Sequence, residues 1–426
     1  MLLIGDHSDD RRLLIELVMV MLPFMPLICM VAILAGMLQV HGRFAAAASG
    51  PLLLNGFIIG VGAYAVATDW QGDSRIAFIL GLATVMSAAT QLWWFLRLLR
   101  PHFTWTREHS AARERGREML RKFVPAAIGL GTLQLNTFID TAIATFPIWF
   151  DTKRKGIAFP LDEASNGILA ITSRLYQFPL GVFGIAVATA AFPLLARHAD
   201  DAHKFTATLR RGLRLSLFIG LPATLGLIVV RRDLIGVLFG HGNNAFSDEG
   251  LVRSAAVLMG FAPGVWAYSL NHVLSRAFYA RGDTKTPMKV SIAAMLVNIA
   301  LNLTLIWRLG EAGLAWATSI SAMLQCGVLG VLARRRLCEG GGPLLDRVSL
   351  VAFVKIALAS VAMFGGAWLA GRFYLEQTVA TWSGQALRLA AACIAGLLIY
   401  SGLCLALGIH ELRWLVRRSA SNDKHA

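Results

Sequence analysis

Charged residues are scarce in this sequence of 426 residues. Asp, Glu, Lys and Arg together make up 15% of it, whereas hydrophobic residues make up 56%. An average soluble domain carries about 25% charged residues. The shortage of charge therefore argues against a soluble protein and predicts a chain that crosses a membrane several times.

Cysteines and the motifs of enzyme chemistry are also few or absent. The five cysteines form no CxxC pair and no Cys/His cluster, and four of them lie inside apolar runs: Cys29, Cys326, Cys393 and Cys404. They are interpreted as small packing residues, with no disulfide framework and no metal site. The apolar runs contain no HExxH, P-loop, Gly-x-Ser-x-Gly or carboxylate pair, so neither a catalytic residue nor a cofactor is expected. The opening MLLIGDHSDDRR lacks a small-residue cleavage site, so no secretory signal peptide is expected.

Acidic residues are outnumbered by basic ones, 25 to 40, which gives a net charge of +15. Such a charge can indicate a nucleic-acid partner. Here the basic residues lie in short loops between apolar runs, as in the cytoplasmic loops of membrane proteins. A nucleic-acid partner is therefore not expected. The densest basic cluster is Arg97–Lys122, and the residues after 411 are basic too. Both segments, and hence the C-terminus, are predicted to be cytoplasmic.

Eleven apolar runs are long enough to cross a hydrocarbon core, which takes about 20 residues. They cover residues 14–38, 51–68, 76–96, 123–147, 166–193, 209–230, 253–278, 287–307, 312–333, 350–371 and 387–408. The predicted fold is an all-α polytopic membrane bundle of about eleven transmembrane helices. The loop CEGGGP at residues 338–343 is predicted to be a flexible linker before the last two spans.

Two segments of the chain resemble each other. Pro26–Pro51 and Pro263–Pro287 each begin at a proline, run to a basic residue in a short turn, and start a second helix at a proline. If they are equivalent parts of a repeat, spans one to three match spans seven to nine, and three helices are missing from the first half. With eleven spans, a cytoplasmic C-terminus would place the N-terminus outside the membrane. Three more helices before the first span would place the N-terminus in the cytoplasm instead. Coincidental placement of the prolines is the alternative.

Arg174 places a full positive charge inside the apolar run that follows Gly167. An arginine at mid-bilayer depth costs at least about 2.5–3.5 kcal/mol, so it usually faces a protein interior or a wet cavity. One interpretation is a polar cavity that receives an anionic group. The other is that Arg174 extends its side chain to the headgroups from about two turns inside the helix.

Other polar residues inside the spans are candidates for the same cavity. Asn136 and Asp140 share a helix face, and Asp140 is either the partner of Arg174 or a hydrated residue at the outer boundary. Asn271 and His272 lie midway along the seventh span and are either cavity residues or packing residues. A further pair, Asn298 and Asn302, is expected to bond across helices.

The turn RAFYARGDTKTPMK, Arg276–Lys289, combines helix-capping residues with a helix-starting proline. Asp283 or Thr284 is expected to cap the next helix, which Pro287 helps to start. The residues of this turn that are expected to control its conformation are Arg281, Asp283, Thr284, Thr286 and Pro287. A second hypothesis makes this turn a gate that contacts the segment Arg97–Lys122.

This turn and the segment SRLYQFPLGVFGIAVATAAFPLLARHA, Ser173–Ala199, resemble the MurJ/MviN family, the lipid II flippases of peptidoglycan synthesis, within the multidrug/oligosaccharidyl-lipid/polysaccharide exporter superfamily. The resemblance runs along essentially the whole chain. It implies two six-helix lobes followed by two helices that shape a groove for a lipid tail, with helices four to fourteen present here. The implied division is 1–100 for three spans of the first lobe, 119–336 for the second lobe, 345–410 for the last two spans and 411–426 for a cytoplasmic basic tail.

The same resemblance implies a site and a function. Well-studied members have Asp-Arg followed three residues later by Glu, where this chain has Ser173, Arg174 and Gln177, and it lacks a counterpart to the family's first two, arginine-bearing helices. These three residues are expected to contact the pyrophosphate or head group of lipid II. The implied function is a lipid II flippase, without bond chemistry, that works by alternating access between the leaflets of the bacterial plasma (inner) membrane. Lipid II and membrane lipids are the expected partners. The alternatives are an exporter of another polyprenyl-linked saccharide and an inactive truncated remnant.

Overall fold

A computed structural model describes residues 16–41, 43, 46, 49–68, 74–102, 116–117, 131, 134–147, 158–162, 164–241, 246–373, 381–409 and 411. These residues form helices joined by short turns. The chain divides into two compact units, Met1–Gly116 and Arg117–Ala426.

The described residues of the first unit include three long helices. They are α1 (Phe24–Val40), α2 (Gly50–Ala67) and α3 (Ser74–Leu99), and a short 3-10 turn at Arg100–His102 follows α3. Leu38 of α1 and Phe95 of α3 are fully buried in the core between these two helices. After α1, the Arg43 guanidinium donates a hydrogen bond to the Leu98 carbonyl at 3.1 Å. Apolar packing and this bond therefore both join α1 to α3.

The second unit contains the remaining helices. They are α4 (134–147), α5 (Ser165–Pro179), a π-helical segment (Leu180–Ile185), α6 (Ala186–Arg197), α7 (Ala202–Phe239), α8 (Asp248–Phe261), a 3-10 turn (Ala262–Gly264), α9 (Val265–Ala280), α10 (Lys285–Leu309), α11 (Glu311–Arg336), α12 (Arg347–Phe373) and α13 (Trp382–Ala406).

Ten helical segments of the described residues are long and apolar enough to cross a membrane. Each overlaps one predicted span, and the all-α membrane fold is confirmed. The beginning of the remaining predicted span, 123–147, lies largely outside the described residues, and residues 134–147 form α4. The limits 209–230 were wrong, because α7 runs over 38 residues. Hydropathy excludes residues 202–208 and 231–239, because these ends carry charges such as Lys204 and Asp233.

Two membrane-crossing segments of the second unit are interrupted rather than continuous. The first breaks between α5 and α6 at the π-helical segment after Pro179, and the second breaks between α8 and α9 at the 3-10 turn that contains Pro263. Proline has no N–H for the preceding turn, so it favours such breaks. α5 packs on α8, and α6 packs on α9. Two separate hydrophobic clusters accompany these pairs, one around Phe261 and one around Val273.

The long helix α7 holds the last two helices. The buried Tyr400 hydroxyl of α13 donates to the Phe218 carbonyl of α7 at 2.6 Å. Near one end Arg210 pairs with Asp346, just before α12, and at the other the Trp382 indole N–H donates to the Val237 carbonyl at 3.1 Å. The pair α12 and α13 is therefore fixed to α7 along its length.

The loop before α12 is packed and is not the flexible linker predicted from its glycines. Cys338 and Leu344 are each only 5% exposed. A Cβ atom on Gly341 would overlap the Ala202 carbonyl and the Thr206 hydroxyl at the start of α7. Glycine is needed here for close backbone approach, so the prediction of a linker was wrong.

Candidate functional site

Arg174 lies on an exposed face of α5. Gln177, one turn later, is exposed on the same face, whereas Tyr176 is buried and its ring stacks on Phe261 of α8 at 4.6 Å. This packing fixes the rotation of the helix about its axis. At 1.5 Å per residue, Arg174 is about 14 Å from the first residue of α5, roughly half of a 30 Å hydrocarbon core.

Arg174 carries its charge without a carboxylate partner in the part of the chain that the structure describes. Ser173 is half-buried, and its hydroxyl donates to the Ala170 carbonyl of the same helix at 2.9 Å. Of the three predicted site residues, Arg174 and Gln177 are therefore exposed on one face of α5, whereas Ser173 is hydrogen-bonded to the backbone of the same helix.

The π-helical segment begins directly after α5, the helix that carries Arg174 and Gln177. A Cβ atom on Gly184 would lie 2.7 Å from the Ser269 hydroxyl of α9, whereas one on Gly181 would meet nothing within 4 Å. Gly184 thus allows close contact with α9, and Gly181 lies on the open side of the break. π-Helical turns are frequent at functional sites, where they re-aim the preceding residues.

Arg253 of α8 binds two carboxylates from distant parts of the sequence. Its Nη1 and Nη2 donate to Asp162 at 2.7 and 2.8 Å, and its Nε donates to Glu311 at 2.7 Å. Glu249 is 3.7 Å from Nη1. We call Asp162, Arg253 and Glu311 the Arg253 cluster. It ties the chain before α5 to α8 and to the first residue of α11.

The same Asp162 carboxylate caps α5. Its Oδ1 accepts the backbone N–H of Ala164 at 3.1 Å and that of Ser165 at 3.0 Å. The hydrogen bonds from Arg253 hold the pKa of Asp162 well below its usual range, although partial burial acts in the opposite direction. Asp162 is therefore ionised at neutral pH and fixes the start of the helix that carries Arg174.

Asp140 of α4 does not pair with Arg174, and that prediction was wrong. Its Oδ1 accepts a hydrogen bond from Asn302 of α10 at 2.6 Å, and its Oδ2 accepts one from Asn136 at 3.4 Å. The carboxylate points into a buried polar layer, whereas Arg174 lies on the exposed face of α5. Amide donors therefore satisfy Asp140 in place of a cation.

Asn298 and Asn302 bond across helices, as predicted. The Asn302 side-chain amide also donates to the side-chain Oδ1 of Asn298 at 2.9 Å, and the Asn298 side-chain amide donates to the Thr318 hydroxyl of α11 at 3.4 Å. All three side chains are at most 5% exposed. This network joins α4, α10 and α11 within the second unit.

Asn271 holds α9 against α11. Its amide donates to the Ala322 carbonyl at 3.0 Å, and the side chain is only 6% exposed. The adjacent His272 is half-buried. The structure thus gives Asn271 a packing contact and does not place it with Arg174.

The turn between α9 and α10 has a compact, capped geometry. Gly282 has φ +75°, a left-handed conformation that glycine adopts without strain, and the Asp283 N–H donates back to the Phe278 carbonyl at 3.0 Å. The Asp283 carboxylate accepts the Thr286 N–H at 2.9 Å, so Asp283, and not Thr284, supplies the side-chain cap that was expected.

Two arginines connect this turn to the rest of the second unit. The Arg281 guanidinium lies 4.5 Å from the Phe205 ring centre, and Arg336 donates to the Thr286 hydroxyl at 2.9 Å. These contacts bring the start of α7 and the end of α11 to the turn. The hypothesis of a gate against Arg97–Lys122 falls largely outside the described residues.

Comparison with known proteins identifies the fold and the family. The family model described as lipid II flippase MurJ matches residues 1–383. A solved structure entitled "Lipid II flippase MurJ, inward closed conformation" superposes with a TM-score of 0.69 and 20% sequence identity, covering 92% of this chain and 74% of that chain. That likeness confirms the fold.

Curated relatives carry the same family name. A probable lipid II flippase MurJ from Vibrio cholerae is 31% identical over 416 residues, which are 95% of this chain and 73% of the relative. Another from Haemophilus influenzae is 30% identical over 358 residues, which are 81% of this chain and 65% of the relative. Members of this family are transporters rather than enzymes that break bonds. The chain therefore belongs to the lipid II flippase MurJ family, as its turn and its Arg174 helix predicted.

Proposed function

We propose that this chain translocates lipid II from the inner to the outer leaflet of the bacterial plasma membrane by alternating access. The observation that carries the proposal is the exposed Arg174, about halfway along a membrane-crossing helix and without a carboxylate partner among the described residues. The names of the relatives from Vibrio and Haemophilus support lipid II as the substrate.

Arg174 has the chemistry that a pyrophosphate requires. A guanidinium stays charged at every physiological pH and donates two parallel hydrogen bonds to phosphate oxygens. Gln177 on the same face provides amide donors for the head group. Ser173 is assigned a lesser part, because its hydroxyl already donates to Ala170.

Alternating access requires helices with two arrangements, and the interrupted segments of the second unit support it. α5 and α8 pack together on one side of the breaks, and α6 and α9 pack together on the other. The π-helical segment gives the Arg174 half a point at which its direction can change relative to α6.

The proposed topology places the C-terminus in the cytoplasm. The contacts of Arg281 with Phe205 and of Arg336 with Thr286 bring three basic connections between helices to the same end of the second unit. These are the connections α6–α7, α9–α10 and α11–α12. The Arg253 cluster instead brings together two carboxylates, Asp162 before α5 and Glu311 at the start of α11. This distribution of charge supports a cytoplasmic basic end. The compact unit Met1–Gly116 supports the proposed first lobe at 1–100, whereas the proposed second lobe at 119–336 and the helix pair at 345–410 both belong to the second unit.

Photocrosslinking tests the site. A lipid II analogue with a photoreactive head group is added to membranes containing the wild-type chain, Arg174→Ala, Arg174→Lys or the control Arg197→Ala, which removes an exposed arginine from α6. We expect labelling of the wild type and the control, a loss of about tenfold or more in Arg174→Ala, and partial labelling of Arg174→Lys. Equal labelling of the wild type and Arg174→Ala would contradict the role of Arg174.

A second candidate is an exporter of another polyprenyl-pyrophosphate saccharide. It is favoured by the neutral Ser173 and Gln177, which stand where the family resemblance predicts carboxylates. In the same assay, stronger competition by an unrelated polyprenyl-pyrophosphate saccharide than by lipid II would support this alternative.

A further inference from the structure

A cavity of about 330 Å³ lies where α7, α12 and the residues after α13 meet. It is lined by different helices from those that present Arg174. Its polar lining consists of three basic side chains, Arg214, Arg347 and Lys355, and one acidic side chain, Glu411. Val351 and Ile409 add apolar surface to the lining.

The charges of this cavity do not cancel. Glu411, whose side chain is 2% exposed, lies 2.6 Å from the Nε of Arg214, so these two groups neutralise each other. Arg347, the first residue of α12, is exposed, and Lys355 is half-buried. The cavity therefore has two positive charges in excess, which suits an anion.

Lys355 is the less expected of the two cations. It is inside the membrane-crossing segment Arg347–Arg372, about 12 Å along the helix from Arg347. Its ammonium donates one hydrogen bond to the Leu407 carbonyl at 2.7 Å and has two more N–H groups to donate. A lysine within a span is rare and usually marks a site with a polar or anionic partner.

An apolar surface leads away from the cavity along α12. Val351, Val354 and Leu358 follow one another at helical spacing and are 47%, 54% and 60% exposed. A free phosphate would use only the cavity, whereas a lipid would use both the cavity and this surface. The combination therefore favours an anionic group that carries acyl chains.

We propose that this cavity binds the phosphate of an anionic phospholipid headgroup, with Arg347 and Lys355 as its ligands and an acyl chain against Val351, Val354 and Leu358. Basic cavities between membrane helices hold anionic headgroups in this way. The cavity is bounded by α7, α12 and the residues after α13, so a lipid bound there lies where these elements pack together. The cavity is lined by other elements than α5, so its test stands apart from the test of Arg174.

Native mass spectrometry of the full chain in detergent tests the site. Phosphatidylglycerol and phosphatidylcholine with the same acyl chains are titrated onto the wild type, Arg347→Gln, Lys355→Met and the control Arg335→Gln, which removes an exposed arginine from the end of α11. We expect tighter binding of phosphatidylglycerol than of phosphatidylcholine. Each cavity variant should weaken phosphatidylglycerol about fivefold, and the control should not.

Three results would overturn the proposal. They are equal binding of the two lipids, unchanged binding in Arg347→Gln, and displacement of phosphatidylglycerol by inorganic phosphate at the same concentration. The last result would indicate a site for a soluble anion. Because Arg347 is exposed, Arg347→Gln provides the test even if Lys355→Met fails to fold.

Discussion

The guanidinium of Arg253 holds the carboxylate of Asp162 with two parallel hydrogen bonds of 2.7 and 2.8 Å. Because this carboxylate also accepts the N–H groups of Ala164 and Ser165, it connects α8 to the first turn of α5. Bidentate pairs of this kind combine strength with a fixed orientation. The start of the Arg174 helix is thus positioned by an ion pair.

The lowered pKa of Asp162 predicts a specific dependence of stability on pH. A carboxyl whose pKa falls on folding stabilises the folded state above its unfolded pKa of about 3.9, and this contribution is lost as the pH falls towards the folded pKa. Since the Asp162 side chain is 38% exposed, we expect Asp162→Asn to lose only about 1 kcal/mol at pH 7. Thermal unfolding in detergent should show this difference shrinking below about pH 4.

The wild type and Asp162→Asn are compared at each pH, so that the titration of other carboxylates affects both equally. A difference in unfolding temperature that stays constant from pH 7 to pH 3 would contradict the assigned ion pair.

Removal of Arg253 should destabilise the protein more than neutralisation of its partner. Arg253→Met leaves Glu311, whose side chain is 9% exposed, as an unpaired buried charge. We expect a loss of about 3 kcal/mol for Arg253→Met and about 1 kcal/mol for Glu311→Gln. Denaturation in mild detergent should show that the double variant, which combines Arg253→Met with Glu311→Gln, is more stable than Arg253→Met alone. The reverse order would show that Glu311 does not depend on Arg253.

Asn302 should be the most sensitive member of the polar network. Asn302→Ala removes the donors to Asp140 and Asn298 and leaves both oxygens buried, with an expected loss of about 2–3 kcal/mol. Thr304→Ala on the same helix is the control, because that exposed hydroxyl bonds only to its own backbone. It should change the unfolding free energy by at most about 0.5 kcal/mol. Equal losses in the two variants would remove the network from the explanation.

The glycines of the π-helical segment should differ in their tolerance of a side chain. Gly184→Ala brings a Cβ atom to 2.7 Å from the Ser269 hydroxyl, and we expect it to cost about 1–3 kcal/mol. Ser269→Ala removes that oxygen and should restore part of the stability. Gly181→Ala is the control, since its Cβ atom meets nothing within 4 Å. Unfolding temperatures that fall equally for both glycines would contradict the close contact with α9.

The helices were predictable because hydropathy is a local property of each segment. The Asp283 cap and the Asn298–Asn302 pair were also predictable, since their partners lie three and four residues away. The limits of α7 were not, because the charges at its end are held by partners distant in sequence, as Asp233 is by Arg388 of α13.

The Arg253 cluster could not be located by local reasoning, since its hydrogen bonds join residues 91 and 58 positions apart. A signal was nevertheless present, because Arg253 begins the predicted span 253–278 directly after a stretch that carries Asp248 and Glu249. Lys355 gave a clearer signal that was missed: it is a charge inside the predicted span 350–371, the same feature that identified Arg174. The partner of Asp140 depended on how α4 and α10 pack, which no local pattern specifies.

Transport itself is best tested in a bacterium depleted of its own flippase. Cells expressing the wild-type chain, Arg174→Ala or Arg197→Ala at equal membrane levels are treated with an external enzyme that cleaves lipid II only in the outer leaflet, and the cleaved fraction is measured. We expect the wild type and Arg197→Ala to restore cleavage and growth, and Arg174→Ala to reduce cleavage by about tenfold or more. Full restoration by Arg174→Ala, or no restoration by the wild type, would contradict the proposal that this chain moves lipid II through a contact with Arg174.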